Sequence, residues 1–334
     1  MKFLVTGSSG HLGEALMRSL RDDPRYRAHG LDVTPSAWTD QVGSIVDRDC
    51  VEAAMRGVDV VLHTATLHKP HVATHSRQAF VDTNVTGTLN LLEAATAHGV
   101  RAFVFTSTTS AFGEALVPAE NQPAAWIDEQ TIPQSKNIYG ATKLAAEDLC
   151  RLASRNQNLP CVILRTARFF PEPDDDPELR DGYTDGNIKL NEMLYRRADV
   201  QDLVDAHLLA TERAPALHFA RYVLSATTPF CRDDTADLRR DAPAVLARRV
   251  RGSQEIYDRL GWRMFPRIGR VYDNTLARQQ LGWNPHYNFA HALDCLARGE
   301  DPRSALARSV GIKGYHGDAY RDGLYPVENT LIRS

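Results

Sequence analysis

Thr6-Gly7-Ser8-Ser9-Gly10-His11-Leu12-Gly13 directly follows the apolar triplet Phe3-Leu4-Val5, and Leu12, Ala15, Leu16 and Leu20 then recur at helical spacing. The stretch reads as strand, sharp glycine turn and helix. Its glycines let the chain reverse, bring backbone N–H groups close to an anion, and allow the helix to pack tightly on the strand. The start of the helix also offers unpaired N–H groups and the positive end of its dipole. A pyrophosphate-binding turn is therefore expected from Gly7, Ser9, Gly10, His11, Leu12 and Gly13.

Working outward, strands are expected over residues 27–32, 58–63, 102–105 and 160–165, with helices over 51–55, 85–98 and 139–153 between them. Near-continuous apolar strands alternating with amphipathic helices predict a doubly wound, Rossmann-type α/β fold with a parallel sheet covered on both faces. The run Pro171-Glu172-Pro173-Asp174-Asp175-Asp176-Pro177 cannot be a helix interior and marks a crossover. The expected division is a dinucleotide-binding domain over 1–170, joined by 192–226 returning to the sheet, and a smaller C-terminal substrate lobe from 171–191 and 227–334.

Asp32 closes the second expected strand, where a carboxylate can accept hydrogen bonds from both hydroxyls of a ribose and would repel a 2′-phosphate. Val33, Thr34 and Pro35 follow it, with no arginine to receive that phosphate, so NAD is the expected cofactor rather than NADP. Tyr139 and Lys143 stand at i and i+4 on one helix face. An ammonium at that range is expected to lower the phenol's pKa, so that the phenolate can take a hydroxyl proton while hydride leaves for nicotinamide.

Together with His63-Thr64-Ala65, Asn84-Val85-x-Gly87-Thr88 and Leu281-Gly282-Trp283-x-Pro285, these motifs resemble the extended short-chain dehydrogenase/reductase family, in its nucleotide-sugar epimerase and dehydratase group. The resemblance implies that Thr108 orients the reacting oxygen beside Tyr139 and Lys143, with Ser107, Thr109 and Ser110 as neighbouring hydroxyls. It places Ala65, Thr66 and Lys143 around the nicotinamide ribose and Ser44 and Ile45 near adenine, although many relatives have aspartate where Ser44 stands. Thr64, Asn84, Thr106 and Arg168 complete the expected cofactor shell; Thr108, Thr109, Ser110, Tyr139, Arg168 and His68, the last on a loop at the carboxyl edge of the sheet, form the expected substrate shell.

The chain also departs from that family. Its dehydratases carry Asp-Glu after the Thr108 position, where Thr109 and Ser110 stand here, so dehydration is disfavoured. Arg168 replaces an amide, and two readings stay open for it: a bidentate partner for a substrate carboxylate or phosphate, or a partner for Asp174, Asp175 and Asp176. The segment 171–199 is shorter than in relatives that bind nucleoside-diphosphate sugars, which favours a smaller polyol, sugar or sugar acid. The resemblance implies that two long helices, near 85–98 and 139–153, pack against their symmetry mates in a homodimer.

Composition restricts the partners. With 39 Lys and Arg against 42 Asp and Glu, the net charge of -3 provides no global positive field for nucleic acid or an anionic membrane. Five cysteines without a CxxC pair point to a reducing, cytoplasmic setting and to no metal site. No signal peptide or transmembrane run is read. His63 is expected to pack in its strand, and the aromatic tail from Gly314 to Pro326 receives no role. Three functions follow: an NAD-dependent oxidoreductase acting on a secondary alcohol or ketone of a carbohydrate-like substrate, an epimerase working through a transient ketone, or a non-catalytic NAD-binding regulator.

Overall fold

Strands that are apolar on both faces must be covered on both faces, and the computed structural model, which describes residues 1–313, arranges them so. In chain order the strands are β1 (Lys2–Thr6), β2 (Arg27–Asp32), β3 (Gln41–Val42), β4 (Val60–His63), β5 (Ala102–Thr108), β6 (Ala125–Ile127), β7 (Cys161–Thr166), β8 (Phe219–Leu224) and β9 (Arg270–Tyr272). Seven form one parallel sheet in the order β3-β2-β1-β4-β5-β7-β8, and β6 pairs with β9 separately. The order reverses between β1 and β4. In an open α/β sheet that switch point is where a crevice opens beyond the carboxyl ends of the strands.

The helices His11–Asp22 and Val200–Leu217 cover one face, where Leu12, Leu16 and Leu20 pack with Leu203 and Val204. Gly87–Ala97 and Ile138–Gln157 cover the other through Leu91, Leu92, Ala146 and Ala153. A separate apolar cluster gathers Ile188, Leu194, Tyr257, Phe265 and Leu293. It is tied to the sheet layer through Trp283, whose indole N–H donates to the Asp202 carbonyl at 2.8 Å, and through the Asp202 carboxylate, which accepts from the backbone of His286 and Tyr287.

Two features differ from the expected elements. The helix expected over 85–98 is preceded by a helical turn Arg77–Phe80 and a wider π-helical turn Val81–Thr86 before Gly87–Ala97. Such turns recur at functional sites, and this one directs Asn84 inward. The β6–β9 pair was not expected, because two three-residue strands far apart in sequence carry no readable periodicity. Among the described residues no helix is long and apolar enough to cross a membrane. The tail from Gly314 to Pro326 lies outside the described residues.

Candidate active site

The glycine turn leaves β1 with Gly7 at φ +73°, a left-handed conformation that glycine adopts without steric cost. A Cβ on Gly13 would lie 1.9 Å from the Gly7 carbonyl oxygen, so the turn and the first turn of the helix pack backbone against backbone. No side chain caps the start of His11–Asp22. Its first N–H groups are therefore available to an anion, as a pyrophosphate requires. Asp32 lines the same cleft, its carboxylate accepting from Ser9 N at 3.0 Å and Thr34 N at 2.8 Å.

That cleft, about 740 Å³ in volume, runs from the glycine turn and Asp32 past Thr64, Ala65 and Thr66 to Thr108, Tyr139 and Lys143. The phenol of Tyr139 lies near enough to the Thr108 hydroxyl to be influenced by it, and that hydroxyl accepts from Ser110 N at 3.0 Å. The Lys143 Nζ donates to the Thr106 carbonyl at 2.6 Å and lies 4.0 Å from the centre of the Phe105 ring. These donor sets fit NAD: free amides for the pyrophosphate, a carboxylate for the ribose, and a phenol–lysine pair at the far end.

Electrostatics depart from the expectation that Lys143 lowers the Tyr139 pKa. Burial pushes the phenol up to about 12, with the neighbouring Thr108 hydroxyl only partly opposing it. Burial also pulls Lys143 down to about 7, against the nearby charges of Glu147 and Cys150. The desolvation of both groups outweighs their mutual influence.

A pH dependence of stability follows. Lys143 titrates near 7 in the fold and at its ordinary 10.5 when unfolded, so the unfolded chain binds more protons between those values. Stability therefore rises as pH increases from 7 to 10.5, and the penalty of the buried charge is complete below 7. In urea titrations of cofactor-free protein, the stability of wild type relative to Lys143→Met is expected to climb across that interval by up to about 1.4 kcal/mol per pH unit. A pH-independent difference would contradict this origin of the shift.

Of the residues expected in the site, Gly7, Ser9, Gly10, His11, Leu12, Gly13, Asp32, Ser44, Ile45, Thr64, Ala65, Thr66, His68, Thr106, Thr108, Thr109, Ser110, Tyr139, Lys143 and Arg168 all line the cleft. Asn84 does not. Its amide instead clamps the loop after β4, donating to Leu67 O at 2.9 Å and accepting from Leu67 N at 2.8 Å. Thr106 offers only its carbonyl, since its hydroxyl pairs with His207 at 2.8 Å, and the Thr64 hydroxyl turns back to Thr6 O.

Of the adjacent hydroxyls, Ser107 is held by Glu147 at 2.6 Å and Thr109 by Thr166 O at 3.3 Å, while Thr108 accepts from Ser110 N at 3.0 Å and is the one whose hydroxyl acts on the phenol. His63 is packed, between Thr6 and Thr88, and burial holds its pKa well below the usual imidazole value. Arg168 reaches the cleft wall, but its guanidinium pairs with Asp174, Asp175 and Glu192, so the reading in which it meets the acidic run describes its contacts.

Several cleft residues were not anticipated. Glu172 pairs with His11 at 3.1 Å and Asp175 with Lys69 at 3.0 Å, which draws the acidic segment over the cleft. Arg270 and Tyr272 arrive from β9, and Arg196 from the end of the segment before Val200–Leu217. Partners so distant in sequence leave no local signal. The five cysteines are all free, with Cys150, Cys161 and Cys295 buried and Cys50 and Cys231 partly so. Among the described residues no group of three or more His, Cys, Asp or Glu side chains is placed to hold a metal ion.

The sequence model of the NAD dependent epimerase/dehydratase family matches residues 3–185, more than half of the chain and the part that carries the glycine turn, Tyr139 and Lys143. The chain belongs to that family. As a member of the NAD dependent epimerase/dehydratase family it is an enzyme of the extended short-chain dehydrogenase/reductase type with NAD as its cofactor.

Relatives within this family differ in reaction. The chain is 28% identical over 322 residues to a UDP-glucose 4-epimerase of Streptomyces lividans, spanning 85% of this chain and 91% of that protein. It is 31% identical over 225 residues to a 2-alkyl-3-oxoalkanoate reductase of Stenotrophomonas maltophilia, spanning 64% of this chain and 66% of that protein. The fold is shared with a short-chain dehydrogenase/reductase superfamily protein from Agrobacterium tumefaciens solved with bound NAD, at a TM-score of 0.62 and 24% identity over 92% of this chain and 97% of that one.

Proposed function

We propose that this family member oxidises or reduces a secondary alcohol or ketone on a small carbohydrate-like substrate. The observation that carries the reading is one continuous cleft joining the uncapped glycine-turn helix to Thr108, Tyr139 and Lys143. Bound at the turn and Asp32, NAD supplies the hydride acceptor or donor. Thr108 holds the reacting oxygen, Tyr139 exchanges its proton, and Lys143, when protonated, favours the phenolate.

An epimerase is the second reading, favoured by the near full-length match to the Streptomyces lividans UDP-glucose 4-epimerase. In that case the same oxidation forms a transient ketone that is reduced from its other face. We also place the substrate lobe at 171–191 and 227 onward, since the separate apolar cluster draws on those segments. A homodimer fits the exposed Val81, Leu89 and Leu152 beside the two helices that cover the sheet. The cysteine usage fits a cytoplasmic setting.

The test is mass spectrometry of the purified protein for bound NAD, followed by a screen of sugars, uronic acids and sugar nucleotides. NADH formation supports the dehydrogenase. An inverted stereocentre with no net NADH supports the epimerase. Bound NAD with neither outcome would overturn the carbohydrate-like substrate class.

A further inference from the structure

The buried ammonium of Lys143 has few partners. Among the described residues it makes one hydrogen bond, to the Thr106 carbonyl, and no ion pair. Glu147, one turn further along the same helix, has its carboxylate taken up by Arg165, Arg221 and Ser107. A buried charge so sparsely paired is costly. The ring of Phe105 offers compensation without a formal charge: it is 1% exposed, and its centre lies 4.0 Å from Lys143 Nζ. At that distance the nitrogen stands over the ring face, because an approach in the ring plane would collide with the edge atoms. The face carries the negative part of the ring's quadrupole, and it attracts a cation most strongly where water is excluded.

The neighbouring imidazole does not compete for that ring. His63 lies 5.3 Å from Phe105 between ring centres. The Thr88 hydroxyl donates to Asn84 O at 2.7 Å, so it accepts from His63 Nε2 at 2.9 Å, and the Thr6 hydroxyl donates to His63 Nδ1 at 2.8 Å. His63 therefore holds a single proton and is neutral, and burial together with the Lys143 charge keeps it so. The other titratable groups around the ammonium are Tyr139, Glu147 and Cys150 on its own helix. Glu147 and Cys150 oppose the effect of burial on Lys143.

We propose that Phe105 is a positioning residue for the reaction: its ring face holds the Lys143 ammonium, in its charged form, against the Thr106 carbonyl and one helical turn from Tyr139. Phe105 is covered, so it acts through Lys143. The proposal rests on the oxidoreductase reading in so far as that reading gives Lys143 its part in the chemistry.

The test replaces Phe105 in the full chain with mono-, di- and trifluorinated phenylalanine, which keep the ring's shape while drawing electron density from its face. The titration of Lys143 is followed in cofactor-free protein by NMR of isotope-labelled lysine, its signal identified by its loss in Lys143→Met. The midpoint should fall stepwise with each added fluorine, by roughly one pH unit across the series, and Phe105→Leu should lower it at least as far. With NAD and the substrate found by screening, kcat at neutral pH should fall in the same order, by up to about tenfold. Packing alone would not follow the number of fluorines. A midpoint indifferent to fluorination overturns the inference, as does a midpoint that moves while kcat stays level. Full kcat in Tyr139→Phe would instead overturn the oxidoreductase reading, while the cofactor-free titration would still report the hold of Phe105 on Lys143.

Discussion

Replacing Tyr139 with Phe is expected to lower kcat by roughly 10²- to 10⁴-fold and to leave NAD affinity nearly unchanged. The ring is buried, so the substitution removes one oxygen and retains the packing. A residue that transfers the substrate proton should show its loss in kcat rather than in cofactor binding. Because burial sets the phenol near 12 in the cofactor-free protein, the wild-type rate should also rise with pH until the phenolate is formed. Steady-state kinetics with the substrate found by screening, paired with NAD titration, check both parts. A variant that keeps more than about a tenth of kcat would remove Tyr139 from the chemistry.

Glu147→Ala is expected to destabilise the fold by about 3–5 kcal/mol. Glu147 is 1% exposed and accepts from Arg165 Nε at 2.9 Å, Arg165 Nη2 at 2.7 Å and Ser107 Oγ at 2.6 Å, with Arg221 at 2.9 Å. Arg165 is itself 1% exposed, so removing the carboxylate leaves an uncompensated guanidinium inside the protein. Cutting one half of a buried ion pair costs far more than replacing both halves with apolar groups. Urea unfolding of Glu147→Ala measures the loss, and Glu147→Gln, which keeps an acceptor without the charge, should fall between it and wild type. A loss below about 1 kcal/mol would show that water or another group reaches Arg165.

The parts of the site that could be read in the sequence are those made by neighbours along the chain. Gly7, Gly10 and Gly13 act within one turn, and Tyr139 and Lys143 share a helix face because they are four residues apart. Asp32 ends a strand whose length and position follow from the apolar pattern. What could not be read depends on burial depth and on meetings across the fold. The opposite shifts of Tyr139 and Lys143 arise because both are desolvated, which spacing alone does not reveal. Asn84 looked like a cofactor residue, yet the π-helical turn aims its amide at the backbone of Leu67.

The acidic segment illustrates the same limit. Its prolines correctly excluded a helix interior, and Pro177 stands in the first turn of Pro177–Gly182 instead. Nothing local could indicate that Glu172 meets His11 or that Asp175 meets Lys69 over the cleft. Arg270 was hidden for another reason: β9 is three residues long, and its partner β6 lies far upstream.

A crystal structure of the protein with NAD would show whether the cofactor spans the cleft from the glycine turn to Tyr139. The pyrophosphate should rest on the backbone amides of His11 and Leu12, the adenine-side ribose on Asp32, and the nicotinamide ribose beside Lys143, with the ring facing Tyr139. A dinucleotide whose nicotinamide points away from Tyr139 and Lys143, or one bound elsewhere on the protein, would contradict it.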